Sequence, residues 1–323
     1  MIQRRDFLRL AAGGAAALQL HSPALALDYP NKAVRVAVTT APGGTSDFVT
    51  RLTSKFLAEK LGQPFIIENQ PGAGGNIAAG GVARAAADGY SLLSISKGNV
   101  LANLLYDKLN FDFMRDFVPV ASIATGGLVM LLHPSVPVRT LPEFLAYAKA
   151  NPGKINYSTP GMGSDPHLGA ELLKMMAGIE LTHVPYRGGA LALTDLISGN
   201  VQMMFSNLPV GEFIRTGKLA GIGVTSLDRN AEFPELPPIA DAVPGFEVNG
   251  WYAYVARRET PPDIIKTLNN AMIEALSDPA VQKGISTLNA KPMPLNAAEL
   301  EKLFREEFER WGKVIKTANI RLN

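Results

Sequence analysis

The fold is indicated by two short stretches, TTAPGGTSD at residues 39–47 and YSTPGMGSD at residues 157–165. They are two copies of one loop sequence within the same chain. The two stretches lie 118 positions apart. Four residues recur in register, as Pro42, Gly43, Ser46 and Asp47 in the first stretch and as Pro160, Gly161, Ser164 and Asp165 in the second. A chain of 323 residues has room for two domains of moderate size, and the repetition predicts that they are similar.

Each repeated loop joins a β-branched run to an amphipathic helix pattern, and the same order of elements surrounds both loops. In the first half we predict strands at 33–40, 64–69 and 90–96 and helices at 47–62 and 76–89. In the second half we predict strands at 154–158, 179–186 and 201–207 and helices at 167–178 and 190–200. Alternating strands and helices predict parallel sheets, so the fold class is α/β with two similar doubly wound domains.

Two long apolar runs, at 118–134 and 246–257, are each long enough to pass from one domain to the other. Two strands that cross between α/β lobes predict a hinge over a cleft, and such lobes close around ligands. We therefore predict a first lobe formed by residues 27–124 and 252–323, and a second lobe formed by 125–251. The C-terminal helix presents one apolar stripe and a charged opposite face, as a docked outer helix requires.

The first 26 residues have the layout of an export signal, with a basic start, a short apolar stretch and the ending Ala24-Leu25-Ala26. Arg4-Arg5 followed by Phe7-Leu8 is similar to a twin-arginine signal. A Sec-type signal that carries two arginines by chance is the alternative. The apolar stretch is too short to span a bilayer and no later segment qualifies, so the mature protein is not expected to be membrane-embedded.

Charge and composition exclude several classes of function. Removal of residues 1–26 takes three of the 31 basic and one of the 29 acidic residues, and so leaves equal numbers of both. A neutral chain is not expected to bind nucleic acid by neutralising phosphates. The chain has no cysteine, which excludes a thiol nucleophile and cysteine-ligated metals. His133, His167 and His183 lack the spacing of a metal site, so we predict no metal and no cofactor.

The repeated loops have the chemistry of an anion site. In a parallel sheet, loops at the carboxyl ends of strands face the ligand, and a following helix offers its positive end. Glycines let successive N–H groups point outward, and hydroxyl donors are available on Thr45, Ser46, Thr159 and Ser164. Neither loop carries Lys or Arg, which favours a carboxylate over a phosphate. Asp47 and Asp165 are expected to cap their own helices. The alternative is that both loops are ordinary strand-to-helix turns.

Five segments in this order are similar to one known family: APGGTSDFVTR, ENQPGAGGNIAA, YSTPGMGSDPHL, HVPYRGG and WGKVIKTANI. The chain resembles the Bug-type solute receptors of tripartite tricarboxylate transporters, and the similarity covers essentially the whole mature chain. The resemblance implies a periplasmic binding protein of the type II, Venus-flytrap kind. It also implies that the two loops grip a carboxylate and that membrane permease subunits receive the ligand.

Carried over by residue, the resemblance predicts ligand-binding positions in both lobes. The first lobe supplies Pro42, Gly43, Gly44, Thr45, Ser46 and Asp47; the second supplies Thr159, Pro160, Gly161, Met162, Gly163, Ser164, His167 and Asn207. His167 is interpreted mainly as a residue that orients the second loop. After the third strand the family often has a small Thr/Gly run, whereas this chain has SKGN, so we hypothesise that Lys97 or Asn99 contacts the distal part of the ligand. A solvated loop lysine is the alternative for Lys97. Arg187 is expected to steer anions or to form a salt bridge.

The resulting prediction is a monomeric, non-enzymatic receptor in the periplasm for a small carboxylic acid. An exported α/β enzyme that acts on a small carboxylate is the alternative from another class. A ligand sensor for a signalling partner is a variant that the sequence does not distinguish from a transport receptor.

Overall fold

The computed structural model describes residues 28–230, 232–317 and 320, so the predicted export signal at 1–26 lies outside the described residues. The strands of this part are β1 (Val34–Val38), β2 (Phe65–Asn69), β3 (Ser91–Ser96), β4 (Phe117–Gly127), β5 (Val129–Leu132), β6 (Asn156–Thr159), β7 (Thr182–Pro185), β8 (Met203–Ser206), β9 (Ala220–Val224), β10 (Asn249–Arg257) and β11 (Lys291–Pro292). The helices are α1 (Thr45–Leu61), α2 (Asn76–Ala83), α3 (Lys97–Val100), α4 (Ala102–Leu105), α5 (Phe113–Asp116), α6 (Leu141–Ala150), α7 (Asp165–Ala177), α8 (Gly189–Ile197), α9 (Gly211–Arg215), α10 (Pro262–Ser277), α11 (Pro279–Ser286) and α12 (Ala297–Thr317).

The strands form two sheets, each built around one copy of the repeated unit. The first sheet has the order β11-β4-β10-β3-β1-β2 and the second has the order β7-β6-β8-β5-β9. In the first unit β1 pairs in parallel with β2 and β3, and in the second unit β6 pairs in parallel with β7 and β8. The predicted α/β class and the repetition of the unit are therefore confirmed.

Parallel pairing does not extend to the whole of either sheet. β10 pairs antiparallel with β3 and β4, β11 pairs antiparallel with β4, and β5 pairs antiparallel with β8 and β9. The prediction of parallel sheets was wrong for these strands because it ignored the crossing direction. A strand that enters a sheet from the other lobe starts at the cleft edge, where the repeated strands end, so it runs against them.

Each of the two apolar runs passes from one sheet to the other within a few residues. β4 ends in the first sheet at Gly127 and β5 begins in the second sheet at Val129, while Val248 precedes the return of β10 to the first sheet. A side chain at Gly126 or Gly127 would overlap neighbouring atoms, which explains why the first crossing is made by glycines. The predicted lobe limits of 27–124, 125–251 and 252–323 stay a prediction.

The C-terminal helix α12 buries the predicted stripe but contacts both halves. Leu300 and Phe304 pack in an apolar cluster with the first sheet. Trp311 and Ile315 belong to a larger apolar cluster that includes Leu101 and Leu105 of the first half and many residues of the second. The Arg310 guanidinium donates to the Glu247 carbonyl oxygen at 3.1 Å, so α12 reaches the second half beside the start of β10. No helix among the described residues is long and apolar enough to cross a bilayer.

A buried hydroxyl network joins α1 to the crossing strand β10. The Tyr254 hydroxyl donates to the Thr50 carbonyl oxygen at 3.1 Å and lies 2.8 Å and 3.2 Å from the hydroxyls of Thr53 and Ser54. Tyr254 is 1% exposed, so water does not replace these contacts. The network fixes the helix that begins at the first repeated loop against the strand that returns from the second lobe.

Removal of the Tyr254 hydroxyl should therefore destabilise the protein. We expect Tyr254→Phe to lower the free energy of unfolding by about 1–3 kcal/mol, because buried hydroxyls of α1 lose a partner. The measurement is urea denaturation followed by circular dichroism. Tyr147→Phe is the matched control, since the Tyr147 hydroxyl forms no hydrogen bond with any described residue. Equal stability of Tyr254→Phe and the wild type would contradict the proposed importance of the network.

Candidate ligand-binding site

A cavity of about 550 Å³ lies between the two sheets and is lined by both repeated loops. Gly44, Thr45 and Ser46 line it from the first half, and the range 160–166 lines it from the second. The first loop follows β1 and the second follows β6, so each loop extends from the carboxyl end of its strand. The cavity therefore occupies the place where an α/β sheet binds ligands. Its volume suits a ligand of small-molecule size.

The first loop presents the start of α1 to the cavity. Gly44 is the N-terminal cap of this 17-residue helix, and it supplies no side-chain acceptor for the first-turn N–H groups. Gly43 has a φ of 83°, a left-handed conformation that glycine adopts without strain. The Gly43 N–H donates to the Asp47 carboxylate at 3.0 Å, so Asp47 holds the loop from behind instead of facing the ligand.

Asp47 is kept ionised by its neighbours. Burial alone would raise its pKa, but hydrogen bonds from Arg51, from the Gly43 N–H and from Asn69 outweigh that effect and lower the pKa. The Arg51 guanidinium lies 2.9 Å from the carboxylate, one helical turn along α1. An ionised Asp47 accepts the Gly43 N–H strongly, so the loop keeps its shape at neutral pH.

The second loop is held by a buried pair of histidines. The Gly163 N–H donates to Nδ1 of His167 at 3.0 Å, and the His167 ring stacks on His183 with ring centroids 4.2 Å apart. Burial is the main reason that the pKa of His167 falls to about 4, so the ring is neutral and accepts from Gly163. His167 therefore positions the loop from behind and does not line the cavity, in keeping with the orienting role expected for it.

The hydroxyl donors predicted from the loops are mostly occupied inside the protein. Thr45 donates to the Asn207 side-chain oxygen at 2.7 Å, which joins the two halves across the cleft. Ser164 donates to the Gly161 carbonyl at 2.7 Å, and Thr159 lies 2.7 Å from His183 Nε2. In this conformation these three hydroxyls hydrogen-bond within the second loop or between the lobes, and their predicted role as ligand donors stays a prediction.

Three hydroxyls of the cavity lining, including the predicted donor Ser46, are not engaged in hydrogen bonds among the described residues. They are Thr40 Oγ1, Ser46 Oγ and the Tyr106 hydroxyl. Ser46 is 5% exposed and sits in the first turn of α1. A buried hydroxyl without a partner costs free energy, so a ligand acceptor placed among these groups would be stabilised.

The two halves touch directly around the cavity, so the described conformation is closed. The Ala41 N–H donates to the Arg187 carbonyl at 3.0 Å. A Cβ added at Gly98 would overlap the Gly163 carbonyl, which shows how near the β3–α3 turn lies to the second loop. The Asn207 side chain, which accepts from Thr45, also donates to the Tyr252 hydroxyl at 3.0 Å.

Lys97 does not have the position that the sequence suggested. It is 1% exposed and points away from the cavity, where its ammonium lies 3.6 Å from Asp165 and 3.1 Å from Glu307. A solvated position does not fit this burial, so that interpretation was wrong, while contact of Lys97 with the distal part of a ligand stays a prediction. Asn99 does line the cavity, with its side chain bonded to the Ser96 N–H and the Gly74 carbonyl. Asp165 was expected to cap α7 and instead faces Lys97.

The structure thus brings most of the sequence-predicted positions to one cavity. The lining residues are Gly44, Thr45, Ser46, Asn99, Pro160, Gly161, Met162, Gly163, Ser164 and Asn207. The predicted positions that do not line the cavity are Pro42, Gly43, Asp47, Lys97, Thr159 and His167. Their assignment as ligand contacts stays a prediction.

Other lining residues were missed by the sequence reasoning. The segment 71–75 lines the cavity after β2, and the rule on carboxyl ends of strands was sufficient to predict it. Tyr106 follows the short helix α4 and has no sequence signature.

Arg187, which the sequence analysis singled out, lines the cavity at its exposed mouth. It forms no salt bridge with the described residues, so the predicted alternative of an ion pair is not observed. No cluster of three or more histidine or carboxylate groups suited to a metal ion occurs in the described ranges.

Comparisons with known proteins agree with this geometry. Residues 49–320 match the family model described as "Tripartite tricarboxylate transporter family receptor". BugT of Bordetella pertussis is 32% identical over 93% of this chain and 94% of that protein. The structure of R. palustris Rpa4515 with adipate superposes with a TM-score of 0.87 at 34% identity, over 91% of this chain and 100% of the other. The periplasmic binding protein BugD gives a TM-score of 0.86 at 29% identity, over 91% and 100%.

Protonation of the buried His167 should destabilise the folded protein. Its pKa of about 4 lies below the ordinary value of 6.5, so stability is full above pH 6.5 and is lost as pH falls towards 4. Relative to His167→Gln, we expect the wild type to lose about 3 kcal/mol of unfolding free energy between pH 7 and pH 4. Urea denaturation at both pH values measures the difference. Identical losses in the two proteins would contradict the assignment.

Proposed function

This chain belongs to the family of tripartite tricarboxylate transporter receptors, and we propose that its cavity captures a small carboxylate between the two lobes for delivery to membrane permease subunits. The protein is a solute-binding receptor and not an enzyme, as its family and its structural neighbours are. Receptors of the family work in the periplasm, and we propose the same location for this chain after removal of residues 1–26.

The observation that carries the proposal is the set of unpartnered donors on the cavity wall. N–H groups at the starts of α1, α7 and α8 lie at the lining positions 44–46, 165 and 189, where the helix starts carry partial positive charge. Ser46 adds a buried hydroxyl without a partner among the described residues. A carboxylate with two acceptor oxygens satisfies these groups together.

The charges on the wall favour a carboxylate over a phosphate. Arg187 is the lining arginine, and it is an exposed residue at the mouth, whereas the first anionic group would be held by neutral N–H and O–H donors at the helix starts. The lining carboxylate of Asp165 lies 3.6 Å from the Lys97 ammonium. A phosphate would bring more charge than neutral N–H and O–H donors balance well, whereas one carboxylate matches them.

Closure of the lobes would complete the site. The donors of the first half and of the second half lie on separate sheets, and the chain passes between them at the end of β4 and the start of β10. The Thr45–Asn207 and Ala41–Arg187 contacts form only when the two halves meet. We propose that the hinge lies at the crossings, between the lobes 27–124 with 252–323 and 125–251, and that the receptor is a monomer. Adipate bound to the neighbour Rpa4515 supports a dicarboxylate as the first probe.

A direct test is calorimetric titration with adipate, for which we expect one ligand per chain and no product. In that assay Ser46→Ala should weaken adipate binding by about 1.5–3 kcal/mol, because a hydrogen bond to a charged group is lost. Ser277→Ala removes the same hydroxyl at the exposed end of α10 and should leave the affinity unchanged. Wild-type affinity in Ser46→Ala would show that the anion does not bind at the start of α1.

Arg187 provides a test for a second carboxylate on the ligand. We expect Arg187→Gln to weaken binding of adipate about tenfold and to leave binding of hexanoate unchanged. Hexanoate has one carboxylate and lacks the second carboxylate, which in adipate would reach Arg187 at the mouth. Equal effects on the two acids would assign Arg187 to general steering of anions, and no effect on either would exclude it from the site.

A further inference from the structure

Three charged side chains from three separate parts of the chain meet at the cavity wall, where Asp165 lines the cavity and Lys97 and Glu307 lie behind it. The Lys97 ammonium of α3 lies 3.6 Å from the Asp165 carboxylate of α7 and 3.1 Å from the Glu307 carboxylate of α12. It also donates to the Asn249 carbonyl oxygen at 2.7 Å, at the start of the crossing strand β10. The side chains are 2%, 5% and 13% exposed, so water hardly reaches the cluster.

The cluster has one cationic group for two carboxyl groups. Asp165 Oδ1 and Glu307 Oε2 face the same ammonium, and beyond these ion contacts neither oxygen has a hydrogen-bond partner within the described residues. One cation shared by two buried carboxylates compensates their burial only in part. A proton on one carboxyl group would remove the excess negative charge and supply a donor.

The neighbouring elements offer no second cation to the cluster among the described residues. The Tyr252 hydroxyl of β10 is neutral, since burial raises its pKa well above the ordinary value. His167, two residues along α7, is also neutral, because burial lowers its pKa. Arg310 of α12 contacts Glu247 instead, with 3.8 Å between the charged groups.

The Lys97–Asp165 contact crosses the cleft. Lys97 follows β3 of the first sheet, and Asp165 starts the helix that follows the second repeated loop. Gly98, the next residue after Lys97, lies directly against the Gly163 carbonyl. Opening the cleft would therefore separate the two charged groups and expose Asp165 to water, whereas closing the cleft buries it.

We propose that closure of the lobes creates a proton-binding site on the Asp165 carboxylate, so that the receptor takes up one proton from solvent together with its ligand. The proposal rests on the proposed function, because it assigns a second cargo to the same closing movement. The bond formed is the O–H bond of the Asp165 carboxyl group, and no other bond changes.

The direction of the effect follows from the difference between open and closed forms. In the closed form burial raises the pKa of Asp165 from 3.8 to about 6, with Lys97 opposing the rise and Glu307 adding to it. An exposed Asp165 in the open form would titrate near its ordinary value. The closed form thus binds more protons between about pH 4 and pH 6, and linkage makes closure more favourable as the pH falls through this range.

The test is calorimetric titration with adipate at pH 5 and pH 7, each in two buffers of different ionisation enthalpy. We expect the affinity of the wild type, divided by that of Asp165→Asn, to be about tenfold higher at pH 5 than at pH 7. At pH 5 the number of protons taken up per bound adipate should be larger for the wild type than for Asp165→Asn, by most of one proton. Comparison of the two proteins cancels the titration of adipate itself. Asp263→Asn, an exposed carboxylate change on α10, should behave as the wild type.

A second measurement needs no ligand and keeps the two proposals separate. The chain has no cysteine, and a Cβ at Gly188 would lie 3.2 Å from Ala41 Cβ across the cleft, so Ala41→Cys with Gly188→Cys can lock the closed form by a disulfide. Carboxyl carbon NMR of the locked protein should show one group that titrates near pH 6 and is missing in Asp165→Asn. A midpoint below pH 5 overturns the proton site. Lack of adipate binding by every variant, with the midpoint near pH 6, would instead count against the proposed ligand class alone.

Discussion

The structure depends on one electrostatic constraint. Several helices begin at the same cavity, and the N–H groups of their first turns have no acceptor within the helix. Gly44 starts α1 and Ser164 starts α7, and neither residue accepts a first-turn N–H through its side chain. Such groups need an acceptor, and burial increases the cost of leaving them without one. The polar residues behind the loops, Asp47 and His167, hold the glycine-rich backbone so that these groups face inward. The site is therefore shaped before an anion enters it.

The architecture explains how this constraint is met from two sides. Each repeated unit brings one loop to the carboxyl edge of its sheet, and the crossing strands turn the two edges towards each other. Since a crossing strand starts or ends at the cleft, the hinge lies next to the loops that it moves. The Asn207 side chain shows the result, because it accepts from Thr45 of the other half and donates to Tyr252 of the crossing strand. Loop, hinge and opposite wall are thus in one hydrogen-bonded chain.

Local sequence patterns were sufficient for the fold and for the location of the site, but not for individual contacts. The repeated PG loops and the β-branched runs are short-range signals, and the structure contains both. Which side chains pair across the cleft depends on tertiary distances, and no local sequence pattern encodes these. For that reason the sequence did not predict the ion contacts of Lys97 or the hydrogen bond from Thr45 to Asn207.

The long C-terminal helix has a mechanical consequence for the movement of the lobes. Phe304 packs in the first core, and Trp311 lies less than two turns further along the same helix, with its ring 5.0 Å from the Lys97 ammonium. A helix neither stretches nor bends easily, so α12 and the residues packed on it move together with the first half. Asp165 begins a helix of the second half, so a rotation about the crossing strands would carry it away from Lys97. The mouth at Arg187 would move in the same rotation.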